Sequence, residues 1–185
     1  KGFLYPAIAV GAILLLTERD TSLSKQLEFY NQSGISWGYK YPYTTVFQNS
    51  TGINYFLREY LSVGVEVGLF LPRDPYNKEG AIYTRPFARF YMLNNEARRV
   101  YFESGGGFIF FNDEFPNPTA QDNRLGTYMN GITKYGIGAE LRIKPETKIL
   151  FGAQHVHVSN GNSKGVERNP SHDSNGFYLG FTTEW

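Results

Sequence analysis

A period of two runs through most of this chain, and no other feature so narrows what it can fold into. It is clearest where Leu61, Val63, Val65, Val67, Leu69 and Leu71 interleave with Ser62, Gly64, Glu66, Gly68 and Phe70. Successive side chains of a strand point to opposite faces, so such a segment has one aliphatic face and one small or charged face. The pattern returns with Tyr135, Ile137, Ala139, Leu141 and Ile143 against Lys134, Gly136, Gly138, Glu140 and Arg142. It returns again with Phe177, Leu179 and Phe181 against Gly176, Tyr178, Gly180 and Thr182. Cutting at the turn signals predicts eight strands, at 2–18, 43–57, 60–71, 81–93, 100–112, 126–143, 148–158 and 175–185.

The connections alternate in length. Tight turns fall at 58–59, 94–99 and 144–147, and long polar loops at 19–42, 72–80, 113–125 and 159–174, with a short helical turn expected within 21–32. Short periplasmic turns at one end and longer extracellular loops at the other are the layout of an outer-membrane barrel. No apolar run reaches the roughly 18 to 20 residues that a membrane-spanning helix requires. The greasiest stretch, 7–16, has the length of a signal-peptide apolar region but is followed by Thr17-Glu-Arg-Asp rather than a small-residue cleavage site, so it reads as part of the first strand.

The faces opposite the aliphatic ones supply a second test. The parity places Glu66, Arg85, Arg89, Glu103, Lys134, Glu140 and Arg142 together, and both signs are present, so charges enclosed in the barrel can pair. A barrel of eight strands is filled by its own side chains rather than holding a channel. Aromatics make up 17% of the chain while the mean hydropathy is −0.38, a balance that suits a surface greasy in bands. A soluble antiparallel barrel or sandwich would show the same alternation and stands as the structural alternative. At 185 residues the chain reads as one domain, a single outer-membrane β-barrel spanning 1–185. Cysteine is absent, which excludes disulfides and thiolate chemistry, and a net charge of +1 gives no electrostatic case for nucleic acid. The run Gly105-Gly-Gly107 reads as a flat or bent strand stretch, since it lacks the strand-to-helix setting of a phosphate loop.

The chemistry-bearing residues gather at the C-terminal end. His155, His157 and Ser159 share the apolar face of the seventh strand with Ile149, Phe151 and Ala153, and Asp173 shares that of the eighth with Phe177, Leu179 and Phe181. Residues two apart on a strand lie about 6.6 Å apart at the backbone, within side-chain reach if the strand end bends. A hydroxyl nucleophile, an imidazole to take its proton and a carboxylate to hold the imidazole make an esterase-like set. Candidate oxyanion or substrate-positioning groups are Asn160, Gly161 and Asn169. Glu167 is the second candidate for the acid. His155, His157 and His172 are not expected to bind a metal, because no carboxylate second shell accompanies them, and no cofactor is expected.

These residues resemble the PagL-type outer-membrane lipid A 3-O-deacylases, whose pattern is His-x-Ser-Asn, a polar loop containing an Asn, then an acid followed by Ser at the start of the last strand. Here it reads His157-Val-Ser159-Asn160, Asn169, then Asp173-Ser174. The match covers about the final thirty residues. It departs from the family in having Asp where Glu is typical and in a longer loop before it. The resemblance implies an eight-stranded barrel in the bacterial outer membrane. It also implies lipid A or lipopolysaccharide as substrate, and Ser159 attacking the ester carbonyl of a 3-hydroxyacyl chain with His157 as general base and then acid. A phospholipid substrate, and a non-enzymatic barrel acting through its loops in structural, adhesive or binding roles, are the alternatives.

Overall fold

The computed structural model describes residues 27–184. Among them, eight strands follow one another: β1 Leu27–Gly38, β2 Thr45–Arg58, β3 Leu61–Arg73, β4 Ala81–Asn94, β5 Arg98–Phe115, β6 Thr127–Lys144, β7 Thr147–Ser159 and β8 His172–Glu184. Each pairs antiparallel with its neighbour in the chain, and β1 also pairs with β8, so the sheet closes into a barrel. Closure removes both sheet edges and pairs the strand backbone internally, which is what a β-structure in hydrocarbon requires.

The first strand is not where the alternation suggested. β1 occupies 27–38, inside the segment read as a long loop, and residues 27–32 of the stretch expected to form a helical turn lie in it. The expected strand 2–18 and the terminal Trp185 lie outside the described residues. Leu27–Gly38 reads LEFYNQSGISWG, whose outward positions include Asn31 and Ser33, so its alternation is too polar to stand out. Pairing on both sides, with β2 and β8, makes it a strand regardless. The other seven strands agree with the sequence reading to within a few residues.

Side chains sort by parity as the pattern requires, but with the apolar face outside. Val65, Val67, Leu69, Ile82, Phe102, Ile137, Leu179 and Phe181 are exposed on the outer wall, while Glu66, Arg85, Arg89, Lys134 and Glu140 are buried inside. A water-soluble barrel would invert this arrangement, and an exposed apolar band of this extent belongs in lipid. Aromatics mark the two rims: Trp37, Tyr39, Tyr43 and Tyr128 at the loop end, Tyr60 and Phe90 at the turn end. The loops 39–44, 74–80, 116–126 and 160–171 all stand at one end, and the tight connections 59–60, 95–97 and 145–146 at the other.

The lumen is packed in layers. Beneath the loops, Val46, Phe70, Ile109, Phe115, Ile132 and Val158 form an apolar plug, and Tyr30, Phe56, Phe87, Tyr91, Tyr101 and Tyr178 form a second cluster nearer the turns. A ladder of charges threads the interior. Glu66 accepts from Arg85 Nε at 2.6 Å, Lys134 Nζ at 2.8 Å and Tyr30 Oη at 2.8 Å. Arg85 also bonds Glu103, and Arg89 joins Glu103 at 2.8 Å to Glu140 at 3.2 Å. Arg99 continues the ladder from Glu140 to Glu28 at 2.5 Å, and Lys148 links Glu28 to Glu184, which also accepts from Arg142. Ions buried this way cost several kcal/mol each to desolvate, and alternation of sign along the ladder offsets that cost.

Glycines make room for these large groups. A Cβ at Gly105 would lie 2.3 Å from the Pro86 carbonyl oxygen and 2.7 Å from Arg85 Nη1, and one at Gly138 would meet the hydroxyls of Tyr101 and Tyr178 within 2.5 Å. Gly105, the first of the triple-glycine run, therefore leaves the space into which the Arg85 guanidinium fits.

Removing one member of the ladder strands its partners. Glu66→Ala is expected to lower the unfolding free energy of the bilayer-reconstituted barrel by about 3–5 kcal/mol, because Arg85 and Lys134 lose their shared anion. Val67→Ala, on the outer face of the same strand, should cost under about 1 kcal/mol. Urea midpoints followed by tryptophan fluorescence measure both.

Candidate active site

β7 climbs to the loop end and stops at Ser159; β8 descends from His172. Their register sets His157 directly opposite Asp173, so strand pairing alone brings imidazole and carboxylate together. His157 Nδ1 lies 2.6 Å from Asp173 Oδ1, and His157 Nε2 lies 2.9 Å from Ser159 Oγ. A carboxylate can only accept from the neutral ring's Nδ1–H, which leaves Nε2 as the acceptor for the serine hydroxyl. That is the tautomer in which a hydroxyl proton can move onto imidazole. All three side chains leave the outer face of the barrel at its rim. His157 is 38% exposed at its side chain, Asp173 only 11%, and Ser159 is buried.

Ser159 reaches the imidazole because the strand ends there and the chain turns away into loop 160–171. That loop is held by its asparagines. Asn160 Nδ2 donates to the Arg168 carbonyl at 2.5 Å, its Oδ1 accepts from the Asn162 N–H at 2.9 Å, and its N–H donates to Asn169 Oδ1 at 3.1 Å. Asn169 Nδ2 in turn donates to Asn162 Oδ1 at 2.8 Å. Left-handed backbone at Gly161 (φ 61°) and Asn162 (φ 62°) tightens the turn, at residues that tolerate it. The neighbouring loop adds clamps. Arg124 Nη1 donates to the carbonyls of Val166 and Asn169, and Arg168 bonds both Glu114 and the Gly126 carbonyl.

The sequence-stated candidates therefore separate. The structure brings together His157, Ser159 and Asp173. It places Glu167 on a short 3₁₀ turn, Val166–Arg168, exposed, while the two ring nitrogens of His157 pair with Asp173 and Ser159. Asn160 and Asn169 spend their side chains largely on the loop itself; the N–H of Gly161 stands outside that web. Arg168 is a strut between loops. His172 faces inward against Phe70 and Phe115, so it cannot join His155 and His157 around one ion.

One contact had no sequence signal. Lys40, in loop 39–44, donates from Nζ to Asp173 Oδ2 at 2.7 Å, and this bond raises its pKa above the ordinary lysine value. Its partner lies 133 residues away in the chain, which no local pattern can announce. His155 completes the surroundings. Its ring stacks on Tyr135 at 4.8 Å, Nδ1 pairs with Asn175 Oδ1 at 2.9 Å, and Nε2 is 3.7 Å from Asp173 Oδ1.

Two hollows flank this row. Inside the mouth, a polar cavity of about 420 Å³ is bounded by Lys40, Thr44, Asn117, Arg124, His172 and Asp173. On the outer wall, from His155 downward, an apolar hollow of about 590 Å³ lies between Trp37, Phe102, Tyr135 and Phe177 over Gly136 and Gly176. The row thus stands where a polar compartment meets the hydrocarbon surface.

A closed, side-chain-filled barrel of eight antiparallel strands with its apolar face outward is an outer-membrane β-barrel. Solved structures that share the fold include Neisserial surface protein A, at 8% identity and a TM-score of 0.65, covering 86% of this chain and 97% of that one, and the outer membrane enzyme PagL, at 11% identity and a TM-score of 0.59, covering 83% and 99%. No curated protein sequence matches the chain. The sequence model of the lipid A 3-O-deacylases (PagL) matches residues 76–182, more than half of the chain and all of the row from His157 to Asp173. The chain belongs to that family.

The asparagine web makes a checkable claim about loop 160–171. Asn160→Ala deletes the side-chain bonds to Arg168 and Asn162, and trypsin cleavage after Lys164 in the micelle-bound protein is expected to accelerate at least tenfold. An unchanged rate would mean that the clamps from Arg124 and Arg168 suffice.

Proposed function

We propose that this chain is an outer-membrane ester hydrolase that removes an ester-linked 3-hydroxyacyl chain from lipid A. The observation that carries this reading is the hydrogen-bonded line Ser159–His157–Asp173, facing outward at the loop rim. A phosphorylated, multiply acylated sugar in the outer leaflet would place its polar part at that rim and its chains against the wall. The apolar hollow below His155 offers such a chain a surface of aromatic sides and a glycine floor. The membership in the lipid A 3-O-deacylase family supports the substrate class.

In this mechanism the Ser159 Oγ attacks the ester carbonyl carbon as its proton passes to His157 Nε2. Asp173, accepting from Nδ1–H, stabilises the imidazolium that forms. The negative charge on the carbonyl oxygen falls toward the turn after Ser159, where the Gly161 N–H is the candidate donor. Collapse breaks the bond to the sugar oxygen, which takes the proton from His157 and leaves. Water, deprotonated by His157, then attacks the acyl-serine, releases the fatty acid and restores Ser159. Lys40, close to Asp173 and beside the polar mouth, completes the electrostatic setting. The whole chain is read as one functional barrel with the site on the extracellular side.

Release of 3-hydroxy fatty acid from purified lipopolysaccharide, quantified by mass spectrometry, tests the reading. Ser159→Ala is expected to lower the rate by roughly 10³-fold or more, and Asp173→Asn by roughly 10³- to 10⁴-fold, since the amide favours the wrong tautomer. Undiminished release by Ser159→Ala would remove that residue from the chemistry. Release from phospholipid vesicles but not from lipopolysaccharide would move the substrate class, and release from neither by the parent protein would favour a non-enzymatic barrel.

A further inference from the structure

The acid of the row has two oxygens and three suitors. Asp173 Oδ1 lies 2.6 Å from His157 Nδ1 and 3.7 Å from His155 Nε2, while Oδ2 receives Lys40 Nζ at 2.7 Å. The terminal torsion of an aspartate is broad and roughly two-fold, so the backbone does not by itself decide which oxygen faces which ring. A carboxylate held on one oxygen only could swing toward His155, which sits on the same face one strand step below His157. A donor fixed on the second oxygen removes that freedom. We infer that Lys40 is a positioning residue for the triad: by holding Oδ2 it turns Oδ1 onto His157. This rests on the esterase reading above.

Three observations distinguish this from an ordinary surface ion pair. The Lys40 side chain is 61% exposed, so the pair adds little to stability and its removal should leave the barrel folded. Its anion is not a surface carboxylate but the 11%-exposed member of the hydrogen-bonded row. Its backbone is also tied down. The Gly38 N–H donates to the Thr44 carbonyl and the Tyr43 N–H to the Lys40 carbonyl, both at 2.8 Å, so loop 39–44 delivers the ammonium from a closed turn. Lys40 lies outside the span matched by the family model, 76–182. The site is thus assembled from three elements, β7, β8 and the β1–β2 loop.

The rival role for a cation here is to bind an anionic group of the substrate, and two substrates separate the roles. The experiment compares parent, Lys40→Met, Lys40→Arg and, as a control cation in loop 74–80, Lys78→Met. Each is assayed on lipopolysaccharide and on an uncharged p-nitrophenyl fatty-acyl ester. Positioning predicts that Lys40→Met loses kcat roughly tenfold on both substrates with KM within twofold. Lys40→Arg should recover most of the loss, and Lys78→Met should match the parent. The far-downfield proton resonance of the His157 Nδ1–H···Asp173 bond should be present in the parent and Lys40→Arg and broadened or moved upfield in Lys40→Met. An unchanged kcat on the neutral ester with KM raised only for lipopolysaccharide, or an unchanged resonance, would overturn the inference. A parent that cleaves neither substrate would sink the esterase reading instead, and the resonance would still decide whether Lys40 orients the pair.

Discussion

Hydrocarbon offers no partner for a peptide group, and every other feature of this molecule answers to that. The strands must satisfy one another, so the sheet closes from β8 back to β1. Closure fixes which parity faces lipid and which faces the lumen for all eight strands at once. The aliphatic face then has to be outside, and the charged face has nowhere to go but in. Register becomes strict as well, because a slip of one residue would put Glu66 or Arg85 into the acyl chains.

The enclosed charges are the consequence of that closure and also what stiffens it. Glu66, Arg85, Glu103, Arg89, Glu140, Arg99, Glu28, Lys148 and Glu184 form one alternating chain of ion pairs from mid-barrel to the turn end. Such a ladder has one arrangement in which every charge is matched, so it specifies the register of seven strands together. Above it, the plug of Phe70, Phe115, Ile132 and Val158 closes the lumen under the loops. A solid interior means that the rim stands on a rigid wall, and the proposed catalysis needs its groups held to within roughly 0.5 Å.

The site exploits the border between the two environments. His157, Ser159 and Asp173 leave from the lipid-facing parity but at the last positions before the loops, where water and headgroups begin. Below them lies the apolar hollow, and behind them the polar mouth. For the ester hydrolysis proposed here, a soluble protein would have to dig a pocket for a greasy chain, whereas a barrel can use its outer wall. What must be supplied locally is orientation, and here it comes from cross-strand pairing of His157 with Asp173, from the asparagine-laced loop after Ser159, and from Lys40 on the far carboxylate oxygen.

Much of this was legible before any coordinates. Alternation is a property of neighbouring residues, so the parity of seven strands, the inward charges and the shared outward face of His157, Ser159 and Asp173 could be read directly from the chain. β1 was missed because its lipid-facing side carries Asn31 and Ser33, and the greasier segment before it drew the assignment. What Asn160 and Asn169 hold was not legible for a related reason: amides suited to an oxyanion are equally suited to bracing a loop, and only the folded turn shows which groups they bond. Sequence by itself determined the class of fold, because period two leaves a membrane-length strand few other options, and it determined which residues could do chemistry. Tertiary structure alone decided that β1 closes the barrel and that His157 stands opposite Asp173 rather than near Glu167. It alone decided that Lys40 arrives from the β1–β2 loop. Those are contacts between distant parts of the chain, set by closure and register, and no local pattern carries them.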